Sequence, residues 1–315
     1  MAPAFSILVF TTASGAGYGL LFLLGLLAPL ELLPGDRWFG VTALALALGL
    51  VGLGLISSTL HLGHPERAWR ALSQWRSSWL SREGVMALAT FPPAGLFAIA
   101  WVWFGETGGI WGFFGLLAAL LAVATVACTA MIYASLKPIR QWHNGFVVPV
   151  YLWFALMTGA LWVNGLLLVF GLEKPPFAIV TLLTVALAWM VKALYWRHID
   201  ETPAESSVES ATGLGGIGRV RLLDPPHTEE NYLVQEMGYR IGRKHARKLR
   251  LLAVGLGCAV PLVGVVLALA TSGAVAAGFG LLAACGAMAG AFVERWLFFA
   301  EATHKMTLYY GARRA

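Results

Sequence analysis

The chain has 315 residues, 58% of them hydrophobic and only 12% charged, and a mean hydropathy of +0.73. Soluble globular domains carry roughly 25% charged residues, so a soluble fold is excluded and the useful count is of apolar runs rather than of domains. The formal net charge is +6 at pH 7, and its distribution along the chain accounts for it without any nucleic-acid partner.

A helix crosses the hydrocarbon core with about 20 apolar residues. By that measure eight spans are predicted, near 6–30, 39–60, 84–104, 110–136, 146–171, 176–196, 250–271 and 273–300. The expected architecture is therefore all-α, a single eight-helix membrane bundle over residues 1–315. Met1 to Ser6 carries no basic side chain and the apolar run behind it is too long for a signal peptide, so it reads as the first span. With eight spans both termini share one side. That side collects 18 of the 22 Lys and Arg residues, while the other has only Arg37 and Lys174. The positive-inside rule places the basic side, with both termini, in the cytoplasm, making this a multi-pass protein of the cytoplasmic membrane.

Span 1 contains TTASGAGYG, where Gly15, Gly17 and Gly19 let another helix backbone approach closely; a ligand passage beside Tyr18 is the alternative. Span 2 ends in ISSTLHLGHP, and Pro65 stops the helix near His64. The loop 61–83 that follows, HLGHPERAWRALSQWRSSWLSRE, holds two histidines, four arginines and three tryptophans. Its Trp69, Trp75 and Trp79 suit a segment lying in the headgroup layer, and an interfacial anchor is the plain reading of its basic and aromatic residues. His61 and Glu83 differ because they stand at the ends of spans 2 and 3, where both can point into a bundle. A carboxyl group at such a depth is costly without a partner or a proton and marks function by default.

Span 4 ends in MIYASLKPIRQWHNG, which returns Tyr133, Arg140, Trp142 and His143 to the same face. His143 reads either as a pocket residue or as a surface histidine. Lys192, near the end of span 6, is expected to snorkel to the interface. Residues 198–249 form the one long polar segment, flexible in its first half, with a helix expected from Thr228. Its size and position suggest docking of a partner protein. Its GLGGIG is no dinucleotide fingerprint, because no strand precedes it. In span 8, Glu294, Glu301 and His304 are spaced by seven and three and fall near one helical face. An internal ion pair with Arg295 and a proton path through Glu301 and His304 are both open readings. Cys128, Cys258 and Cys285 lie inside spans without metal-ligand spacing, and read as buried thiols packing as small apolar groups.

A site of this make-up suits a quinone. Reduction to quinol consumes two electrons and two protons, so it needs a group able to exchange protons near neutral pH. Histidine does so with an unperturbed pKa of about 6.5, and a glutamate desolvated at a membrane boundary approaches the same range. Arg67 or Arg82 would oppose that shift. Spans 2 and 3 are the expected walls of an apolar cleft for ring and tail. Electrons must arrive from elsewhere, since this chain has no ligand set for an iron–sulfur cluster, molybdenum or flavin.

The segments PAFSILVFTTASGAGYGL, HLGHPERAWRAL…SWLSREG, MIYASLKPIRQWHNG, MGYRIGRKHARKLR and ERWLFFAEATH together resemble the membrane-anchor subunits of molybdopterin oxidoreductases, the dimethyl sulfoxide reductase anchor (DmsC-like) family. The resemblance covers essentially the whole chain. It implies eight spans, a quinone-reactive role, a four-cluster iron–sulfur partner and a molybdopterin catalytic subunit. It also implies that His61 and Glu83 take part in quinol binding. His64, Arg67, Arg82, Trp142 and His143 are further quinone-site candidates by their place on the same face, not by the resemblance. The N-terminal block and span 8 look most like relatives in cytoplasm-facing sulfite-oxidising complexes (SoeC-like), in keeping with the charge bias. Sulfite dehydrogenase feeding the quinone pool, ubiquinone or menaquinone, is thus the leading expectation. An anchor of a dimethyl sulfoxide reductase-type enzyme oxidising quinol is the runner-up. A haem b cytochrome is a third reading, using His143, His245 or His304 near the surface; no metal ligand is assigned. A transporter is disfavoured, because no repeat is visible and the polar groups gather at one face.

Overall fold

In a computed structural model the described residues are 5–60, 62–202, 206–221, 223–224 and 243–310. Eight helices among them are long and apolar enough to cross a membrane. They are α1 (Phe5–Leu27), α2 (Arg37–Thr59), α3 (Trp79–Phe104), α4 (Gly109–Ala134), α5 (Val147–Val169), α6 (Pro175–Glu201), α8 (Ala246–Leu269) and α9 (Gly273–Ala300). A short α7 (Val208–Thr212) lies between α6 and α8. The all-α polytopic architecture expected from hydropathy is the one observed. The helix expected from Thr228 lies outside the described residues.

Local chemistry sets the boundaries. Asp36 caps α2 by accepting from the Phe39 N–H at 2.7 Å, and Ser78 occupies the same position before α3. That cap starts α3 at Trp79, a turn earlier than hydropathy alone indicates, and so places Glu83 within the helix rather than at its mouth. Gly105, at φ +69°, turns the chain after α3 in a conformation that side chains with a Cβ rarely adopt. In α8, Pro261 has no N–H to offer the Gly257 carbonyl one turn back. The helix widens into a π-turn at Gly255–Ala259, and the Trp189 indole N–H donates to the Gly257 oxygen instead, at 2.7 Å.

Helices α1 and α5 form the axis of the bundle and are the most buried of the eight. Helix α1 packs against α2 and α4, α5 against α6 and α9, and the two cross each other. At the crossing, a Cβ on Gly159 would stand 2.3 Å from the Gly19 backbone, so only glycine permits the approach. Gly17 lets α2 approach in the same way, through Ala47 and Val51, whereas Gly15 has none of the described residues within 4 Å of the place a Cβ would take. Close packing of small residues replaces the hydrophobic drive that is missing between helices in lipid.

Three expectations need correcting. Lys192 does not snorkel: α6 runs on to Glu201, so the lysine lies more than two turns inside, fully buried and paired with Glu294. Glu294, Glu301 and His304 do not share a helical face, because α9 ends at Ala300 and the last two follow it. Of the three free thiols only Cys128 is buried; Cys285 is exposed on the outer surface of α9.

Candidate functional site

Antiparallel alternation of the spans brings the start of α1, α3, α5 and α8 to the same side as the end of α2, α4, α6 and α9. Within about four turns of those ends the bundle holds an unusual set of buried polar groups. Glu83, 4% exposed, lies in the second turn of α3 and faces α4. The Thr129 hydroxyl contacts Glu83 Oε1 and also stands 3.1 Å from the Thr125 carbonyl. One hydroxyl has one proton to give. It donates to Glu83 when the carboxylate is ionised; when Glu83 carries a proton, Thr129 accepts it and turns its own proton to Thr125. Both protonation states of Glu83 therefore find a partner.

Thr129 borders a cavity of about 20 Å³ between α1, α4, α5 and α9, room for about one water. Thr12, Tyr18, Tyr151 and Arg295 share its lining. The hydroxyls of Thr12 and Tyr151 are buried there without a hydrogen-bond partner among the described residues, and that of Tyr18 has the Thr125 side chain beside it. The Arg295 guanidinium carbon lies 3.6 Å from the centre of the Tyr151 ring, a close cation–π contact. Arg295 Nη1 is 3.2 Å from Glu294 Oε2, and Glu294 in turn pairs with Lys192. The Lys192 ammonium sits 4.0 Å over the Tyr195 ring. Three buried ionisable groups are thus linked in one cluster with one more positive group than negative.

The other sequence candidates are more dispersed. His61 lies outside the described residues. His64 is exposed, with Nδ1 3.0 Å from Glu66 Oε1, and Arg67 lies beside the same carboxylate at 3.7 Å. Both belong to the loop that continues as a 3-10 helix, Pro65–Gln74. Leu72 of that segment packs over Gly84, covering the turn that carries Glu83. Arg82 is folded back on the loop, donating to the carbonyls of Trp75 at 2.9 Å and Arg76 at 2.7 Å, with its guanidinium 4.2 Å from the Trp79 ring. Trp142 is buried and its indole N–H donates to the Phe298 carbonyl at 2.9 Å. His143 is exposed, with Nδ1 2.6 Å from the Ala134 oxygen at the end of α4. His304 stacks edge-on against Trp142 at 5.6 Å.

Glu301 accepts from Arg250 Nε at 2.7 Å, and Arg250 also grips Asp200 at 2.5 and 2.9 Å, tying α6, α8 and α9 together. Burial holds the Glu301 pKa above the usual carboxylate range, against the pull of Arg250. Burial, with Arg243 nearby, pushes His304 down. Arg140 donates to the carbonyls of Ile199 and Thr202 at the end of α6, and Arg243 to those of Ala300 and Ala302 at the end of α9. Several basic residues that mark this side in the sequence thus cap helix C-termini.

Sequence reasoning missed Thr129 and Tyr151, and it named Tyr18 and Lys192 without finding their polar partners. Periodicity along one helix could not find them, since their partners come from other helices. The usable signal was their chemistry: polar side chains within runs of at least 20 apolar residues.

An eight-helix bundle with its buried polar cluster near one face defines a polytopic membrane protein. A model of the dimethyl sulfoxide reductase anchor subunit family (DmsC) matches residues 1–311, and the chain belongs to that family. It is 29% identical to a subunit of the sulfite dehydrogenase of Allochromatium vinosum, over 98% of this chain and 99% of that one. It is 27% identical to the anaerobic dimethyl sulfoxide reductase chain YnfH of Escherichia coli, over 52% of this chain and 58% of the relative.

Proposed function

We propose that this chain is the quinone-reactive anchor subunit of a cytoplasm-facing molybdenum and iron–sulfur oxidoreductase that passes electrons from sulfite to the quinone pool. The observation that carries the reading is Glu83: a carboxyl group buried within the bundle, held by a hydroxyl that serves it in either protonation state, next to a small polar cavity. The end-to-end likeness to a sulfite dehydrogenase subunit supports the choice of substrate over the dimethyl sulfoxide reductase reading, whose relative matches only about half of the chain. The partners are a four-cluster iron–sulfur subunit and a molybdopterin catalytic subunit, docked on the side that carries the long 198–249 loop.

The chemistry balances. Oxidation of sulfite to sulfate takes up one water and releases two electrons and two protons at the catalytic partner. Conversion of quinone to quinol consumes two of each at the membrane. Glu83 hands a proton to a ring oxygen and regains one, Thr129 keeping it solvated in both states, and His61 is its partner in the same exchange. His64, Arg67, Arg82 and His143 are the further candidates on that face, with Trp142 buried beneath it. Glu301 and His304 stand where protons enter from the aqueous side.

Glu83→Gln keeps the hydrogen bond to Thr129 but cannot exchange a proton. In the purified complex, with the partner subunits still bound, Glu83→Gln and His61→Ala are each expected to lower sulfite-dependent quinone reduction by at least about 100-fold, within the range for losing a general acid. Wild-type quinone kinetics in both variants would overturn the reading.

A further inference from the structure

Beside the water-sized cavity lies a second one, of about 170 Å³, between α1, α4 and α5. Phe22, Val123, Leu152 and Leu156 line it, and its surface is almost wholly carbon. The two cavities share Tyr18, Val126 and Ala155. Along α4 the lining moves from Thr129 in the first to Ala122 in the second. Seven residues of helical rise carry it about 10 Å toward the middle of the bilayer. The polar end thus lies near the loop-bearing face and the apolar end at the depth of the lipid tails.

The polar end is built for an acceptor. A hydroxyl buried without a partner costs free energy that water or a ligand must offset. Here the Tyr151 hydroxyl has no partner among the described residues, at 3% residue exposure, and the Tyr18 hydroxyl, at 2%, has the Thr125 side chain beside it. Arg295, only 3% exposed, brings a guanidinium, a group that donates and never accepts. Together they match a ring carbonyl oxygen. The apolar cavity beside them matches a hydrocarbon stem. A phospholipid shares this depth order, but its charged headgroup belongs in the aqueous interface and exceeds a space of about 20 Å³ beneath it.

We infer that the passage between α1, α4 and α5 is the lateral entrance for the tailed quinone, and that Tyr18, Tyr151 and Arg295 receive a ring oxygen beside Thr129 and Glu83. This rests on the quinone-reactive reading of the chain. It moves the entrance away from the α2–α3 cleft expected from the sequence. Tyr18, Val126 and Ala155, common to both linings, part the two spaces.

The test uses the whole complex in vesicles of phosphatidylethanolamine and phosphatidylglycerol. The first readout is covalent labelling by a photoreactive azidoquinone whose azide sits on the tail, followed by peptide mapping. Label on α1, α4 and α5 is expected. Label confined to α2 and α3, or to no helix while a photoreactive phosphatidylethanolamine labels the passage, would overturn the entrance. The second readout is the ratio of KM for decylubiquinone to KM for tail-less ubiquinone-0 in Val123→Trp, expected to rise about tenfold. An unchanged ratio in an assembled complex overturns the entrance; if the variant fails to assemble, the labelling of the wild-type complex decides. Wild-type kinetics in both Glu83→Gln and His61→Ala would sink the parent reading instead, and the labelling pattern does not depend on that result.

Discussion

At the residue scale, the buried triad Lys192–Glu294–Arg295 shows what counts in a low-dielectric interior: the balance of charge, more than the number of contacts. Glu294 stands between two cations, so its loss and the loss of either cation are not equivalent. Glu294→Gln leaves two positive groups facing each other with no anion between them. Breaking a buried pair in this way costs about 3–5 kcal/mol. Lys192→Met leaves Glu294 paired with Arg295 and fills the same space with a side chain of similar length, which costs no more than about 1 kcal/mol where packing is kept. Thermal melting of the detergent-solubilised complex should therefore show Glu294→Gln melting well below Lys192→Met, with the latter near wild type. Equal melting points would mean that the triad is not charged as its geometry indicates. Little of this cluster was legible beforehand. Arg295 next to Glu294 hinted at an internal pair, but Lys192 lies about a hundred positions away, and only the packing of α6 on its neighbours brings it there.

At the element scale, hydropathy found all eight spans because each apolar run exceeds what a bilayer requires, and it missed what happens where runs end. Capping decides those ends. Ser78 draws Glu83 into α3, and the C-terminus of α9 falls at Ala300 although the spacing of its polar residues continues to His304. The segment after Ala300 is held by side chains: Glu301 to Arg250, Thr303 to Gln141 through both backbone and hydroxyl, and His304 against Trp142. The two titratable members respond to pH in opposite senses. Burial and Arg243 lower the folded-state pKa of His304. Its contribution to stability is therefore complete above the unfolded value of about 6.5 and is lost as pH falls through the lower folded one. Burial raises the folded-state pKa of Glu301; its contribution is complete below the unfolded value of about 4.3 and fades as pH rises through the folded one. Replacing the imidazole isolates the first. His304→Gln is expected to show a smaller drop in melting temperature than wild type between pH 7.5 and about 5, the range set by the unfolded histidine value and the lowered folded one. Identical slopes would remove His304 from the pH response of this helix end.

At the scale of the whole molecule, the distribution of charge and the location of the site make one claim about orientation. The helix ends that enclose Glu83, Tyr151 and Arg295 are those of the side bearing 18 of the 22 Lys and Arg residues. Part of that surplus has a local use, since Arg140 and Arg243 cap α6 and α9, and part lies in the loop where Arg70, Arg76 and Arg82 stack on Trp69, Trp75 and Trp79. Neither use weakens the bias that insertion reads, because retention of basic loops depends on charge near the span ends and not on what the charge later binds. The opposite side offers only Arg37 and Lys174, and Lys174 is taken up by the Leu32 carbonyl at 2.8 Å. Electrons from a cytoplasmic partner would then reach a site on the partner's own side of the bilayer, and the proposed quinone would enter by the apolar cavity at mid-depth. Alkaline phosphatase fused after Ala315 is expected to be inactive, and the same reporter inserted between Leu32 and Asp36, or after Glu106, to be active, since the enzyme folds only outside the cytoplasm. The reverse pattern would put the polar cluster on the outer face and exclude a cytoplasmic donor. Rewriting Arg70, Arg76 and Arg82 as glutamines should leave the pattern intact, because the other basic residues on that side outnumber the two opposite.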